Sequence, residues 1–401
     1  MMLKYELKKI FTKRINQVIL AAALLVGILL SCFAVGSVFY VDENGDSPKG
    51  LNTWRLLAED KNQWKGELTG EKIAEALRID RALSAQYPDG VPDDVYGSEM
   101  QDYSDIRDFV INVLTPDSSW DASVLDQLTD EQAEDIYDIY RENLSKMAEE
   151  YGTTPEEKDL LNRIYEKIEI PLVYEAKDSW DTMMMYVETY AIILAVIAGF
   201  LAAGIFSGEF RPGVEDVFLA AKYGRSRAVK NKIIAGVLMT TVVYWSGMLI
   251  LSLISFAIMG TSGFSTPVQI WETYSIYIMT YGEYYLLSLL CGYIASLFCA
   301  SLTMLVTVKM HTAGVAVCIP FFLLCMMPFV GRALPSFSAF FNLMPDMLIN
   351  IIECIKAPIL YQIGSVVFRQ IPLIMVIYAA AAVALLPIVY RSYRRRGLRK
   401  R

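Results

Sequence analysis

Few side chains in this sequence are placed to make or break bonds. The single histidine, His311, cannot supply a multi-histidine metal centre. No Gly-x4-Gly-Lys-Ser/Thr phosphate loop occurs, so ATP must be handled by another chain if it is used at all. A Gly-x-Ser-x-Gly nucleophile elbow is missing too. Ionisable groups inside apolar runs mark function by default, because lipid penalises them. Glu188 is one, and Glu283 stands at the edge of another run. Glu188, Met184 and Met326 are candidate pathway residues, since thioethers adapt to varied apolar surfaces. An interfacial role for Glu188 and ordinary packing for the methionines are the plainer alternatives. The six cysteines lie mostly in apolar runs, only Cys354 outside one. They read as small hydrophobes rather than a disulfide framework.

Chemistry of another kind, recognition by a helix face, is written between residues 208 and 233. Pro212-Gly213 opens a short helix over about 214–222. Glu215 and Asp216 fall in its first turn, where the helix dipole favours acids. Val214, Val217, Phe218 and Ala221 repeat at helical spacing and form one apolar face. Lys222 closes the helix, Gly224 follows as a stop, and Ser226 is placed to cap the next helix. Such a face needs a cover, either a partner protein or the lipid surface.

The elements that position this loop are membrane spans. Hydrophobic residues make up 54% of the 401, against roughly 45–50% in an ordinary globular protein. A bilayer core of about 30 Å takes roughly 20 apolar residues. Six runs qualify: Val18–Val41, Tyr186–Phe206, Ile233–Ile258, Tyr284–Val308, Ala313–Val330 and Leu373–Tyr390. Lys and Arg collect before the first run, after the second, at Lys309 and in the tail from Arg391. With six spans these segments share one side, which the charge bias makes the cytoplasm, with both termini inside. The basic tail, 392–401, serves as a topology anchor or binds anionic lipid. It has no interleaved aromatic platform for nucleic acid. Residues 1–14 place Leu3, Leu7, Ile10 and Phe11 opposite Lys4, Lys8 and Lys9, as in an interfacial helix. The first span then covers 15–41, and five further spans lie within 183–391.

Residues 42–182 form an acidic outer domain with 35 acidic and 14 basic side chains. Thr129-Asp-Glu-Gln132 reads as a capping box before a helix running to Tyr151, with Gly152 as the stop. Thr154-Pro-Glu-Glu157 opens a second helix bearing Leu160, Leu161, Ile164 and Ile168. Thr69 caps a third, and a hairpin is expected around Lys61–Leu68. The last outer segment, about 331–371, is broken by prolines and reads as short outer or re-entrant helices carrying Asp346 and Glu353. The fold class is therefore an all-α polytopic membrane protein with six transmembrane helices, an N-terminal interfacial helix and a mainly helical extracellular domain.

At the second-to-third-span loop the sequence resembles the ABC-2-type transporter permeases. The matching positions are Glu209, Gly213, Asp216, Leu219, Arg227 and Lys232. The six spans, the amphipathic start and the outer hairpin before the last span fit the same resemblance, and a large outer insertion after the first span resembles one branch of the family. The resemblance covers somewhat over half the chain. It implies that the loop helix, with Glu209, Gly213, Val214, Glu215, Asp216, Val217, Phe218, Ala221 and Arg227, docks on a separate ABC ATPase subunit. It implies a second permease copy or paralogue, no cofactor on this chain, and export of a peptide, antibiotic, lipid or ion across a bacterial plasma membrane. The alternative is a membrane-anchored receptor or immunity protein whose outer domain binds a ligand. An integral membrane enzyme is disfavoured by the missing catalytic groups.

Overall fold

The computed structural model describes residues 2–116, 120–207, 221 and 223–395. Six helices are long and apolar enough to cross a membrane: Arg14–Gly36, Asp178–Ser207, Gly224–Met259, Tyr281–Met310, Ala313–Ala333 and Gln370–Arg394. The protein is an all-α polytopic membrane protein.

Helix α1 (Met2–Thr12) is separate from the first span, α2 (Arg14–Gly36), because Lys13 is extended between them. Its apolar face lies where the spacing puts it: Ile10 is buried, and Leu3, Leu7 and Phe11 pack against the core. Between the first two spans stand α3 (Thr53–Lys61), α4 (Gly70–Gln86), α5 (Asp93–Glu99), α6 (Ser104–Leu114), α7 (Asp130–Glu134), α8 (Ile136–Tyr151) and α9 (Pro155–Tyr165). The second span is α10 (Asp178–Ser207). It and the fourth span form the centre of the bundle, with 61% of their apolar windows buried against 17–39% elsewhere. Small residues permit close crossing there. A Cβ on Gly199 would stand 2.4 Å from Pro320 Cγ of the fifth span. That span is not a regular helix: Pro320 and Pro328 bracket a π-turn at Phe322–Met326, as expected where proline withholds an N–H.

The sequence expectations survive in outline and shift in detail. The capping box at Thr129 forms, Gln132 Oε1 accepting from Thr129 N at 3.0 Å, and Thr154 caps α9, its Oγ1 accepting from Glu157 N at 3.2 Å. Thr69 caps α4. The helix after Thr129 is interrupted at Asp135, so α7 and α8 are two helices. No hairpin forms at Lys61–Leu68. Instead strand β1 (Gly66–Glu67) pairs antiparallel with β2 (Val173–Tyr174), closing the domain's beginning onto its end. The first span ends at Gly36, short of Val41, and the second begins at Asp178, inside the segment assigned to the domain. The last segment before the sixth span holds short helices, but also a hairpin of β3 (Leu360–Ile363) and β4 (Val366–Arg369). Ser226 does not cap the third span, whose first turn is a π-turn beginning at Gly224.

The loop between the third and fourth spans is a saddle under the domain. Tyr140 Oη donates to Thr273 O at 2.6 Å, and Tyr274 Oη donates to Val113 O at 2.8 Å. Nearby, Trp180 of α10 packs on Phe256 at 4.4 Å and Tyr285 at 5.5 Å. At the opposite end, Phe206 meets Tyr393 at 5.5 Å, and α1 packs against the third span and touches α10.

Candidate functional site

Two places in the described residues gather charge against the apolar bundle. The first is the seam between domain and membrane part. Helix α3 ends on Lys61, α6 carries Asp105 in its first turn, and α10 starts with Asp178 and Asp181 just after Lys177. Lys61 Nζ lies 3.2 Å from Asp105 Oδ1 and 2.7 Å from Asp178 Oδ1. Lys177 Nζ lies 3.6 Å from Asp105 Oδ1 and 2.5 Å from Asp181 Oδ2, over the rings of Trp271 and Tyr281. Tyr174 Oη donates to the other Asp105 oxygen at 2.8 Å. Both ammonium groups and Asp105 are almost wholly out of solvent. Burial acts to raise the Asp105 carboxyl pKa, but Lys177, Lys61 and the Tyr174 hydroxyl outweigh it and hold it well below the usual range. Burial likewise acts to lower the pKa of Lys61 and Lys177; Asp105, with Asp178 beside Lys61 and Asp181 beside Lys177, raises both above the ordinary value. Asp105, Lys61 and Lys177 therefore stay charged across the physiological range, and these three groups act as a clamp rather than a proton switch.

Further down α10, Glu188 Oε1 accepts from the backbone N–H of Ile352 at 3.1 Å. The carboxylate thus pins the short helix Ile351–Lys356 to the second span. An acceptor aimed at orphan N–H groups of a helix start is favourable. Glu188→Leu is expected to free that segment, raising hydrogen exchange at 351–356 at least about tenfold, as loss of a charged hydrogen bond worth about 1.5–3 kcal/mol implies. Glu188→Gln keeps an acceptor and is expected to retain most of the protection. Of the other two pathway candidates, Met184 lies one helical turn before Glu188 on α10 and is buried, whereas Met326 is exposed on the π-turn of the fifth span.

Glu272, in the saddle loop, is the counterpart with a movable proton. Its Oε1 is buried without a hydrogen bond. Burial pushes its pKa from 4.5 up to about 7, with Lys356 opposing and Asp181 and Glu353 adding to the rise. Between those values the folded protein keeps a proton that the unfolded chain has released, so this group's contribution to stability falls as pH rises from 4.5 to about 7. Glu272→Gln is expected to match the parent near pH 4 and to exceed it near pH 8 by on the order of 1–3 kcal/mol. Thermal unfolding in detergent at the two pH values checks this.

At the opposite end, Lys232 of the third span is fully buried and pairs with Glu6 of α1 at 3.0 Å. Arg227 stacks over the Tyr223 ring at 4.7 Å, and the Ala221 carbonyl accepts from Gly224 N at 3.0 Å. The rest of the expected loop helix lies outside the described residues: Glu209, Gly213, Val214, Glu215, Asp216, Val217, Phe218, Leu219 and Lys222.

Sequence reading missed the clamp. Only the Lys177–Asp181 pair carries a local signal, opposite charges four residues apart at a helix start. Lys61 and Asp105 are ordinary domain charges until folding brings them to α10. His311 ends the fourth span in the left-handed conformation, with φ 64°. Among the described residues there is no group of three or more candidate metal ligands and no disulfide.

Fold and site together define a multi-pass membrane protein whose polar domain is clamped to its second span. A scan against protein-family models finds no match, and searches of curated proteins and of solved structures find none either.

Proposed function

We propose that this chain is the transmembrane permease subunit of an ATP-driven ABC exporter, in which a separate ATPase moves the spans. The observation that carries the reading is helix α10. It runs unbroken for 30 residues, about 45 Å at 1.5 Å per residue, and so exceeds a bilayer core of about 30 Å. One end is held in the ionic clamp of the polar domain. The other leads directly into the segment that resembles a coupling helix. A displacement at the loop is therefore transmitted along a rigid rod to the domain and, through Glu188, to the helix 351–356. Paired Lys232 and Glu6 tie α1 to the third span at the same end, so α1 is braced to the helix that follows the loop.

In this reading the domain is extracellular, both termini are cytoplasmic, and the membrane is a bacterial plasma membrane. A second permease copy or paralogue completes the pathway. Nucleotide energy does work only if the ATPase contacts the two conformations differently. Affinity purification in mild detergent, followed by identification of co-purifying chains, tests the reading. Stoichiometric recovery of an ABC ATPase is expected. A chain recovered without any ATPase, together with ligand binding confined to the domain, would favour the membrane-anchored receptor instead.

A further inference from the structure

The saddle between the third and fourth spans is tied to the polar domain along residues 271–274. Asn112 Nδ2 donates to Trp271 O at 3.2 Å, and Tyr140 Oη to Thr273 O at 2.6 Å. Tyr165 Oη donates to Tyr274 O at 3.0 Å, while Tyr274 Oη donates to Val113 O at 2.8 Å. Glu272, in the middle of this stretch, bonds within the saddle instead. Its N–H donates to Val268 O at 2.9 Å, and its carbonyl accepts from Ser275 N at 3.0 Å. Its carboxyl oxygen Oε1 is buried without a hydrogen bond.

The groups facing that carboxyl come from three elements. Lys356 and Glu353 belong to the helix Ile351–Lys356, Asp181 and Lys177 to the start of α10, and Tyr284, which also faces Glu188, to the fourth span. The cations are already engaged. Lys177 serves Asp105 and Asp181, and Lys356 lies 3.6 Å from Glu353. Tyr284 Oη is buried and makes no hydrogen bond either. Such a place tolerates a neutral carboxyl far better than a carboxylate, which loses water and gains no donor.

We propose that Glu272 is a pH-operated latch between the polar domain and the spans: the protonated side chain seats the saddle, and loss of the proton draws residues 271–274 away from the domain. The ionised group is solvated only by moving toward water, and the carbonyls at 271, 273 and 274 move with it. Burial raises the pKa of this group from 4.5 to about 7, Lys356 and Lys177 opposing and Asp181 and Glu353 adding. Once released, the carboxyl titrates at its ordinary value. Release therefore becomes about tenfold more favourable between pH 6 and pH 8. The latch concerns how the domain is held, and it stands independently of the exporter reading.

The test is hydrogen exchange on full-length protein in lipid nanodiscs, read as protection factors, which remove the pH dependence of the intrinsic rate. The reporters are the N–H groups of Trp271, Glu272 and Ser275, all hydrogen-bonded within the saddle. Their protection is expected to fall about tenfold from pH 6 to pH 8, while α6 and α8 keep theirs. Glu272→Gln is expected to hold the saddle at the pH 6 level throughout. Lys356→Met removes a charge that favours the ionised form in place, and is expected to deepen the loss. Equal protection of the parent at both pH values would overturn the proposal. So would an undiminished pH response in Glu272→Gln. A parallel loss throughout α6 and α8 would overturn it too, since the domain would then be unfolding rather than letting go.

Discussion

Asp105→Ala is expected to destabilise the folded protein by about 3–5 kcal/mol, the cost of leaving buried charges without their partner. Two ammonium groups rely on this one carboxylate, and Lys177 is almost fully enclosed. Lys61 keeps Asp178 and Lys177 keeps Asp181, so the clamp loosens before the bundle does. The expected signature is an early unfolding step in the domain, seen as protease cleavage between residues 42 and 177 while the spans remain protected. Asp105→Asn keeps an acceptor for Tyr174 and should cost less. Exchanging Lys61 and Asp105 together for Met and Leu should recover much of the loss, because a well-packed apolar pair often replaces a buried ion pair at little cost.

The pH dependence has a definite sign. Asp105 has a depressed folded pKa, so its contribution is complete above the unfolded value of about 3.9 and is lost as pH falls through the folded value. Lys61 and Lys177 have raised folded pKa values, so theirs is complete below the unfolded value of about 10.4 and is lost as pH rises beyond the folded values. Between about pH 4 and pH 10 the contributions of Asp105, Lys61 and Lys177 are constant, whereas that of Glu272 changes toward neutrality. Asp105→Ala behaving like the parent in both heat and protease assays would show that the network contributes nothing.

The second large effect is expected at the loop after α10. Asp216→Arg reverses a charge in the first turn of the proposed coupling helix, and Phe218→Arg removes the bulkiest group of its apolar face. Either change is expected to abolish co-purification of the ATPase and transport while leaving expression and membrane insertion at parental levels. Interface anchors of this kind dominate binding; truncating one commonly costs about 2 kcal/mol or more, and a buried like-charge contact costs further. Unchanged ATPase recovery and transport in both variants would remove the basis of the exporter reading. Accessibility labelling gives an independent check, since a cysteine replacing Glu215 should react only from the cytoplasmic side.

Much of this architecture is legible in the chain because lipid imposes a strict rule. Backbone groups inside a bilayer must bond within their own helix, so an apolar run of sufficient length has one outcome. All six runs appear as helices. Their ends shift where helices continue past the apolar stretch: α10 starts eight residues before Tyr186 because Asp178 and Asp181 fit the first turn of a helix. Local side-chain bonding made the caps at Thr69, Thr129 and Thr154 readable in the same way. The hairpin expected near Lys61–Leu68 failed because Gly66 and Glu67 found partners at Tyr174 and Val173, more than a hundred residues away. Nothing in a short window records such a pairing.

The order of polar and apolar segments, written in the sequence, determined six crossings, one large acidic domain and an amphipathic start, since burial against lipid and helical periodicity act over a few turns. Which charges meet was decided only by tertiary packing. Lys61, Asp105 and Lys177 become a clamp, and Glu188 a pin for Ile352, because folding brings distant segments within a few ångströms, where electrostatic and hydrogen-bond energies are set by distance and burial.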